Sequence, residues 1–158
     1  PYNVGTLLLT NWLEHKAPGN PTLSYTLMFQ KEVAERITAR VGDRAYGRLA
    51  VLTQLTCSCR QLFDVPPEAF VPAPKVTSTV VRLEPLAKPG SDDLSMVSHI
   101  TRLAFGQRRK MLRRSLSSLH PNLSEFLNKI GVREEDRAEQ VQPEQFAQLA
   151  KLVRQNPR

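Results

Sequence analysis

Residues 59–85 read CRQLFDVPPEAFVPAPKVTSTVVRLEP. The two ends, CRQLFDV and VTSTVVRLEP, are rich in β-branched and apolar residues and predict strands. Between them, prolines stand at 66, 67, 72 and 74, and each fixes a backbone dihedral. The segment therefore predicts a stiff loop that mounts Phe70 between two strands. On these residues alone, an aromatic between prolines is ordinarily a packing residue beneath a loop.

Working outward, YGRLAVLTQLTC predicts an apolar helix and QKEVAERITARVG a surface helix with Val33, Ala34 and Ile37 on one face. LSYTLMF predicts a short strand, and GTLLLTNWLEHK a helix that carries Trp12 on its apolar face and is broken by APGNP. Helices and strands in alternation, closed by two adjacent strands, predict a mixed α/β sheet. After LAKPGSDDLS the pattern turns helical. Asp92, Asp93 or Ser95 is expected to cap a helix running from Met96 to about Leu119, which buries Ile100, Leu103, Ala104 and Met111. SEFLNKIG and PEQFAQLAKLVRQ predict two shorter amphipathic helices. The expected organisation is a sheet domain over residues 1–88 and a small all-α domain over residues 89–158, with the boundary near Ala87 to Asp92.

The chain has 158 residues, 41% of them hydrophobic, enough for one ordinary domain or a small sheet domain followed by a helical one. No run approaches the roughly 18 apolar residues of a membrane span, and nothing resembles a signal peptide, so a cytoplasmic protein is expected. Cys57 and Cys59 stand too close for an ordinary bridge and lack the spacing of a zinc pair, which leaves two reduced, mostly buried thiols. His15, His99 and His120 are scattered, and no metal is expected.

The net charge of +7 favours a polyanionic partner. From Met96 to Leu119 there is no acidic residue, while Arg102, Arg108, Arg109, Lys110, Arg113 and Arg114 all fall in that window. A charged run is usually a solvated face, but these cations lack the acidic neighbours that form stabilising pairs within a helix. Phosphate is the better-matched partner, giving salt-sensitive affinity without sequence readout. Lys75 and Arg48 are expected to extend this surface.

Five blocks taken in order, PYNVG, QKEVAERI, YGRLAVLTQ, VPPEAFVPAPKVTSTVVRL and AFGQRRKMLRRSL, resemble the S-adenosylmethionine-dependent rRNA adenine dimethyltransferases, the KsgA and Erm family. The FGQRRK block is more similar to the KsgA small-subunit branch. The resemblance implies the C-terminal half of a Rossmann-like methyltransferase sheet followed by a helical RNA-binding domain. In the family an Asn-aliphatic-Pro-Tyr motif ends the fourth strand, and Pro1 and Tyr2 match its last two positions. The glycine-rich cofactor loop and ribose-binding acidic residue belong to the half that would precede Pro1, and no G-x-G pattern replaces them here. The expectation is a C-terminal part of a longer, monomeric enzyme, inactive alone, with S-adenosylmethionine bound mainly by the other half and Pro1 near the methyl donor.

The amine of adenine is a poor nucleophile because its lone pair is delocalised into the ring. An enzyme must extract the base from its stack, hold it and aim the lone pair at the sulfonium methyl. The resemblance assigns the holding to Tyr2 and Phe70, and an acceptor for an amine hydrogen to the carbonyl of Pro1, an orientation effect. It implies no strong general base. Lys31 and Glu32, opening a helix after a strand on the family's active-site side, either shape the site entrance or form an ordinary solvated helix start. The expected substrate is 16S rRNA in a precursor of the small (30S) subunit. The alternatives are an Erm-type enzyme acting on 23S rRNA and a non-catalytic RNA-binding ribosome-assembly module, which would have no need of an aromatic pair.

Overall fold

The computed structural model describes residues 2–15 and 24–157. The expected strands form: β1 (Tyr25–Gln30), β2 (Cys57–Val65) and β3 (Ser78–Pro85) make one sheet in the order β1-β3-β2, with both pairings antiparallel. β3, the central strand, buries Ser78, Thr79, Val81 and Leu83. In register, Tyr25, Leu27 and Phe29 of β1 lie opposite Leu83, Val81 and Thr79. Because side chains alternate along a strand, these residues share one face with Cys57, Cys59 and Gln61 of β2.

That face carries the helices α1 (Tyr2–His15), α2 (Lys31–Thr38) and α3 (Arg48–Thr56). The Gln61 side chain donates to Thr38 Oγ1 at 2.7 Å, and the Cys59 thiol to the Ile37 carbonyl at 3.6 Å. Trp12 of α1 is half-buried and meets Tyr25 edge-on, ring centroids 4.3 Å apart, as its apolar helical position predicts. The break expected at APGNP lies outside the described residues. α3 is buried on nearly every side, and its Thr53 and Thr56 hydroxyls are satisfied by donating to Leu49 and Leu52 carbonyls, both at 2.8 Å.

Beyond the sheet come α4 (Leu94–Gly106), α5 (Leu112–Ser115), α6 (Leu123–Lys129) and α7 (Pro143–Gln155). Of the three candidate caps for α4, Asp93 does the work, accepting from the Met96 amide at 2.9 Å. α6 ends with Gly131 at φ +70° and with amides of Gly131 and Val132 donating back to Asn128 and Leu127, a left-handed cap in which glycine avoids Cβ strain. Buried His120 accepts from the Asn122 amide through Nδ1, which leaves Nε2 to donate to the Asn156 carbonyl just past α7.

The single helix expected from Met96 to about Leu119 is corrected. α4 stops at Gly106, residues 107–110 turn, and Met111 is extended and bridged to Arg137. The amides of Leu112 and Arg113 donate to the Asp136 and Glu134 carbonyls, at 2.8 and 3.0 Å, instead of to the preceding helical turn. Glycine weakens the helix at 106, and the strand-like pairing offers the backbone a replacement. Met111, expected on the buried side, is 40% exposed, whereas Ile100 and Ala104 are buried and Leu103 half-buried.

The change of character near Ala87 to Asp92 does not interrupt the core. One buried cluster runs from Leu9 and Leu13 through Leu52 and Leu55 to Phe146 and Leu149, because α3 packs on the sheet side and also against α4 and α7. The connecting segment is strapped down: Leu86 donates to the Thr56 carbonyl at 2.9 Å and Gly90 to that of Leu55 at 2.7 Å. A Cβ at Gly90 would stand 2.7 Å from Leu55 Cδ2, so glycine is what permits this approach.

Candidate functional site

The proline-rich loop leaves the sheet at Val65 and returns at Ser78, which pair with each other. Its first turn is a short 3-10 helix over Pro67–Ala69, closed by the Phe70 amide donating to the Pro67 carbonyl at 3.1 Å. Phe70 is extended and half-buried, neither in the core nor free in solvent, and Val71 beside it is fully exposed. The loop is anchored at its base. Lys31 opens α2 by donating its amide to Thr77 at 2.9 Å, and its Nζ reaches Asp64 Oδ2 at 2.7 Å, while Thr79 Oγ1 donates to Asp64 Oδ1 at 2.7 Å. The hydrogen bonds from Lys31 and then Thr79 hold the Asp64 carboxyl below its usual range, and Asp64 raises Lys31. Glu32 instead pairs with Arg36 on its own helix.

Pro1 and the Tyr2 side chain lie outside what is described, so their contacts with Phe70 are not part of the geometry. The backbone nevertheless brings their neighbourhood to the loop. Gly5 of α1 abuts the Phe29 ring, where a Cβ would stand 3.6 Å from Cε1. Phe29 is opposite Thr79, and Thr79 opposite Asp64. The start of α1, the start of α2 and the base of the loop thus converge on one end of the sheet.

The cations fall into separate settings once the long helix is broken. Arg102 projects from α4 into a cleft of about 400 Å³ that it shares with Arg48, His99 and Arg154. There Arg48 Nη2 donates to Ser98 Oγ at 2.5 Å and Arg154 pairs with Asp93 at 2.8 Å. Arg108 lies in the turn and does have an acid, Glu139 at 3.1 Å, and it donates to the Arg44 carbonyl at 2.8 Å. With Arg44 and Arg137 it borders a wider cleft of about 960 Å³ that also holds Asp43 and Glu139. Arg109 and Lys110 of the turn and Arg113 and Arg114 of α5 are exposed, with no ion-pair partner among the described residues. Lys75 is exposed on the Phe70 loop, away from both clefts. Sequence reading missed Arg44, Arg137 and Arg154, which come from distant segments and carry no local signal.

Both cysteines are free, and burial pushes their thiols up, Cys59 to about 11, so neither is a nucleophile near neutral pH. Among the described residues no group of His, Cys, Asp or Glu could hold a metal, and no helix is long and apolar enough to cross a membrane.

The solved structures that this fold resembles are methyltransferases. A dimethyladenosine transferase from Plasmodium falciparum superposes with TM-score 0.79 at 24% identity, over 98% of this chain and 64% of the other. The 23S rRNA methyltransferase ErmE gives 0.62 at 26% identity, over 98% and 62%. The model of the ribosomal RNA adenine dimethylase family matches residues 1–155, and the chain belongs to that family. Relatives named ribosomal RNA small subunit methyltransferase A include that of Xanthobacter autotrophicus, 52% identical over 98% of this chain and 54% of the relative, and that of Paracoccus denitrificans, 50% identical over 100% and 56%. The chain therefore spans about half the length of the curated relatives it matches.

Proposed function

We propose that this chain is the C-terminal part of a KsgA-type enzyme that dimethylates adenine amines of 16S rRNA in a precursor of the small ribosomal subunit. The observation that carries the reading is the convergence of the Phe70 loop with the start of α1 at one sheet end, in a chain about 50% identical to small-subunit methyltransferases and only 26% identical to ErmE. S-adenosylmethionine supplies the methyl group. The described residues form no glycine-rich cradle for it, so its binding falls to the part of the relatives that this chain does not span, and the chain alone is inactive.

The chain's own residues hold and orient the base. Phe70, stiffened by flanking prolines, stacks on one face of the flipped adenine and Tyr2 on the other, at little entropic cost because the loop is already ordered. The Pro1 carbonyl accepts one amine hydrogen, which localises electron density on nitrogen and fixes the direction of attack. Lys31, Asp64 and Thr79 set the height of the loop. Arg102, Arg109, Lys110 and Arg113, with Arg48, Arg108 and Lys75 beside them, bind phosphates and position the RNA. The division at residues 88 and 89 separates base handling from most of the RNA docking, to which Arg48 and Lys75 contribute from the sheet side. The parent enzyme is a monomer of the cytoplasm.

The test is transfer from labelled S-adenosylmethionine to undermethylated small subunits by this chain fused to the leading half of the Xanthobacter relative. Transfer that collapses when Tyr2 and Phe70 become alanine supports the reading. A fusion that binds the subunit and transfers nothing supports the assembly-module alternative instead.

A further inference from the structure

The tip of the proline loop is apolar without interruption. Residues 69–74 read AFVPAP, between the exposed charges of Glu68 and Lys75. Ala69, Val71, Pro72 and Ala73 are exposed, while Phe70 and Pro74 are half-buried. Single exposed apolar residues are ordinary, but a consecutive run of them gains nothing in water and marks a contact surface. Val71 is the extreme: it is fully exposed, whereas every other large exposed hydrophobic among the described residues keeps part of its surface covered. The backbone at Phe70 is extended, so its side chain and that of Val71 leave on opposite sides, Phe70 toward the protein and Val71 outward. The tip is not slack. The Ala69 and Phe70 amides donate to the Pro66 and Pro67 carbonyls, each at 3.1 Å, and Asp64 ties the base of the loop to Lys31 and Thr79.

Resting on the base-extraction reading above, we infer that Val71 is a wedge that enters the RNA stack and takes the place of the adenine held by Phe70. Taking a base out of its stack bares the faces of its two neighbours, at a cost of roughly a few kcal/mol per step that an inserted apolar side chain offsets. Val71 adjoins Phe70 and points the opposite way, so a base drawn against Phe70 leaves its former neighbours on the side of Val71. Pro72 and Pro74 have no N–H, so at those positions the tip offers no donor to read a base edge, and its contacts tolerate any neighbouring base. Lys75, exposed just beyond the tip, supplies a charge for the adjoining phosphate. Because the loop is ordered before RNA arrives, insertion costs little entropy. Val71 meets the neighbours of the substrate base and not the reacting atoms, so it is a positioning residue.

The experiment uses this chain fused to the leading half of the Xanthobacter relative, with Val71→Cys carrying a benzophenone maleimide. Burial raises both native thiols of the chain, and the fusion with valine at 71 is the control for them. Irradiation on undermethylated small subunits should crosslink the tip to 16S rRNA, with reverse-transcription stops beside one adenine. The inference is overturned by a cysteine that fails to label before RNA is added, because the other half then covers the tip, and equally by stops scattered along the RNA, by a crosslink to ribosomal protein or by no crosslink. In steady-state transfer, Val71→Ala should lower kcat about fivefold and leave KM within about twofold, the mark of a group that aids extraction and not docking. Val71→Leu, which keeps the tip apolar, should recover most of that loss, and melting should be the same in all variants because the position is fully exposed. An unchanged kcat in Val71→Ala overturns the inference, as does a leucine variant as slow as a serine one. The crosslink is read without methyl transfer. Stops beside one adenine in a fusion that transfers nothing support the wedge and sink the transferase reading, whereas scattered stops in a fusion that transfers sink the wedge alone.

Discussion

Replacing Tyr46 by phenylalanine removes one oxygen from a fully buried site. The Tyr46 hydroxyl donates to the Val141 carbonyl at 2.9 Å across 95 positions of sequence, and its ring packs edge-on against Phe105, which in turn meets Phe146. The variant keeps the ring packing and leaves the carbonyl unpaired, so near neutral pH it should lose about 1–1.5 kcal/mol, which for a chain of this length lowers Tm by about 3–5 °C. The pH dependence makes the test specific. Burial, then the nearby Glu144 charge, raise the phenol well above its ordinary value near 10. A group that binds its proton more tightly when folded contributes stability that is complete below the unfolded pKa and is lost as pH rises above it. Between pH 10 and 11 the wild type should therefore lose about 1–1.5 kcal/mol that the phenylalanine variant does not lose. Urea unfolding of both proteins from pH 7 to 11 should show the wild-type advantage present at pH 7 and gone near pH 11. A difference that stays constant over that range, or one under about 0.3 kcal/mol at pH 7, refutes the hydrogen bond as the source.

Other outcomes follow from the same geometry. Phe70→Ala in the extended enzyme should lower kcat/KM about 5- to 150-fold, the worth of one base–aromatic stack, while RNA affinity measured by filter binding changes little. Changing Arg109, Lys110 and Arg113 together to alanine should reduce the slope of log K against log salt by about 2–3, and equally for unrelated RNAs, because phosphate contacts carry no sequence information. Gly90→Ala forces a methyl against Leu55 on the buried end of α3 and should cost about 1–3 kcal/mol in denaturant unfolding. Asp64→Asn should speed hydrogen exchange in the proline loop. The wild type should approach that behaviour as pH falls through the lowered Asp64 pKa, since a depressed carboxylate stabilises only while ionised.

The strands and five of the helices were legible because their signals are local: β-branched runs between turn residues, and apolar spacing that matches the buried residues of helices such as α2, α3 and α7. The long basic helix was not, because what ends it is remote. Gly106 alone hints at a stop, while the carbonyls that capture Leu112 and Arg113 belong to residues 134–136. Arg108 illustrates the same limit for charge. Its window contains no acid, yet Glu139 reaches it from 31 positions away. At the sheet end, Phe70 and its prolines are contiguous and readable, whereas Lys31, Asp64 and Thr79 meet only because β1, β2 and β3 pair.

The continuity of the core bears on how such a protein would choose its substrate. Phosphate contacts position an RNA without reading it, and two stacking rings accept any base face, so neither feature alone selects one adenine. Selection then depends on the separation between them. α3 joins the sheet to α4 and α7, Gly90 ties the connecting segment to its end, and Tyr46 fastens the preceding loop to Val141, so that separation is held by buried contacts and not by a hinge. Under the proposed function, a fixed spacing would admit an RNA only where a phosphate cluster and an extractable adenine lie that far apart, a condition that a folded RNA particle would meet and a short sequence would not. Loosening the core at Gly90 or Tyr46 should accordingly lower discrimination between assembled subunits and naked RNA before it abolishes binding, and competition between the two substrates for the extended enzyme measures that order directly.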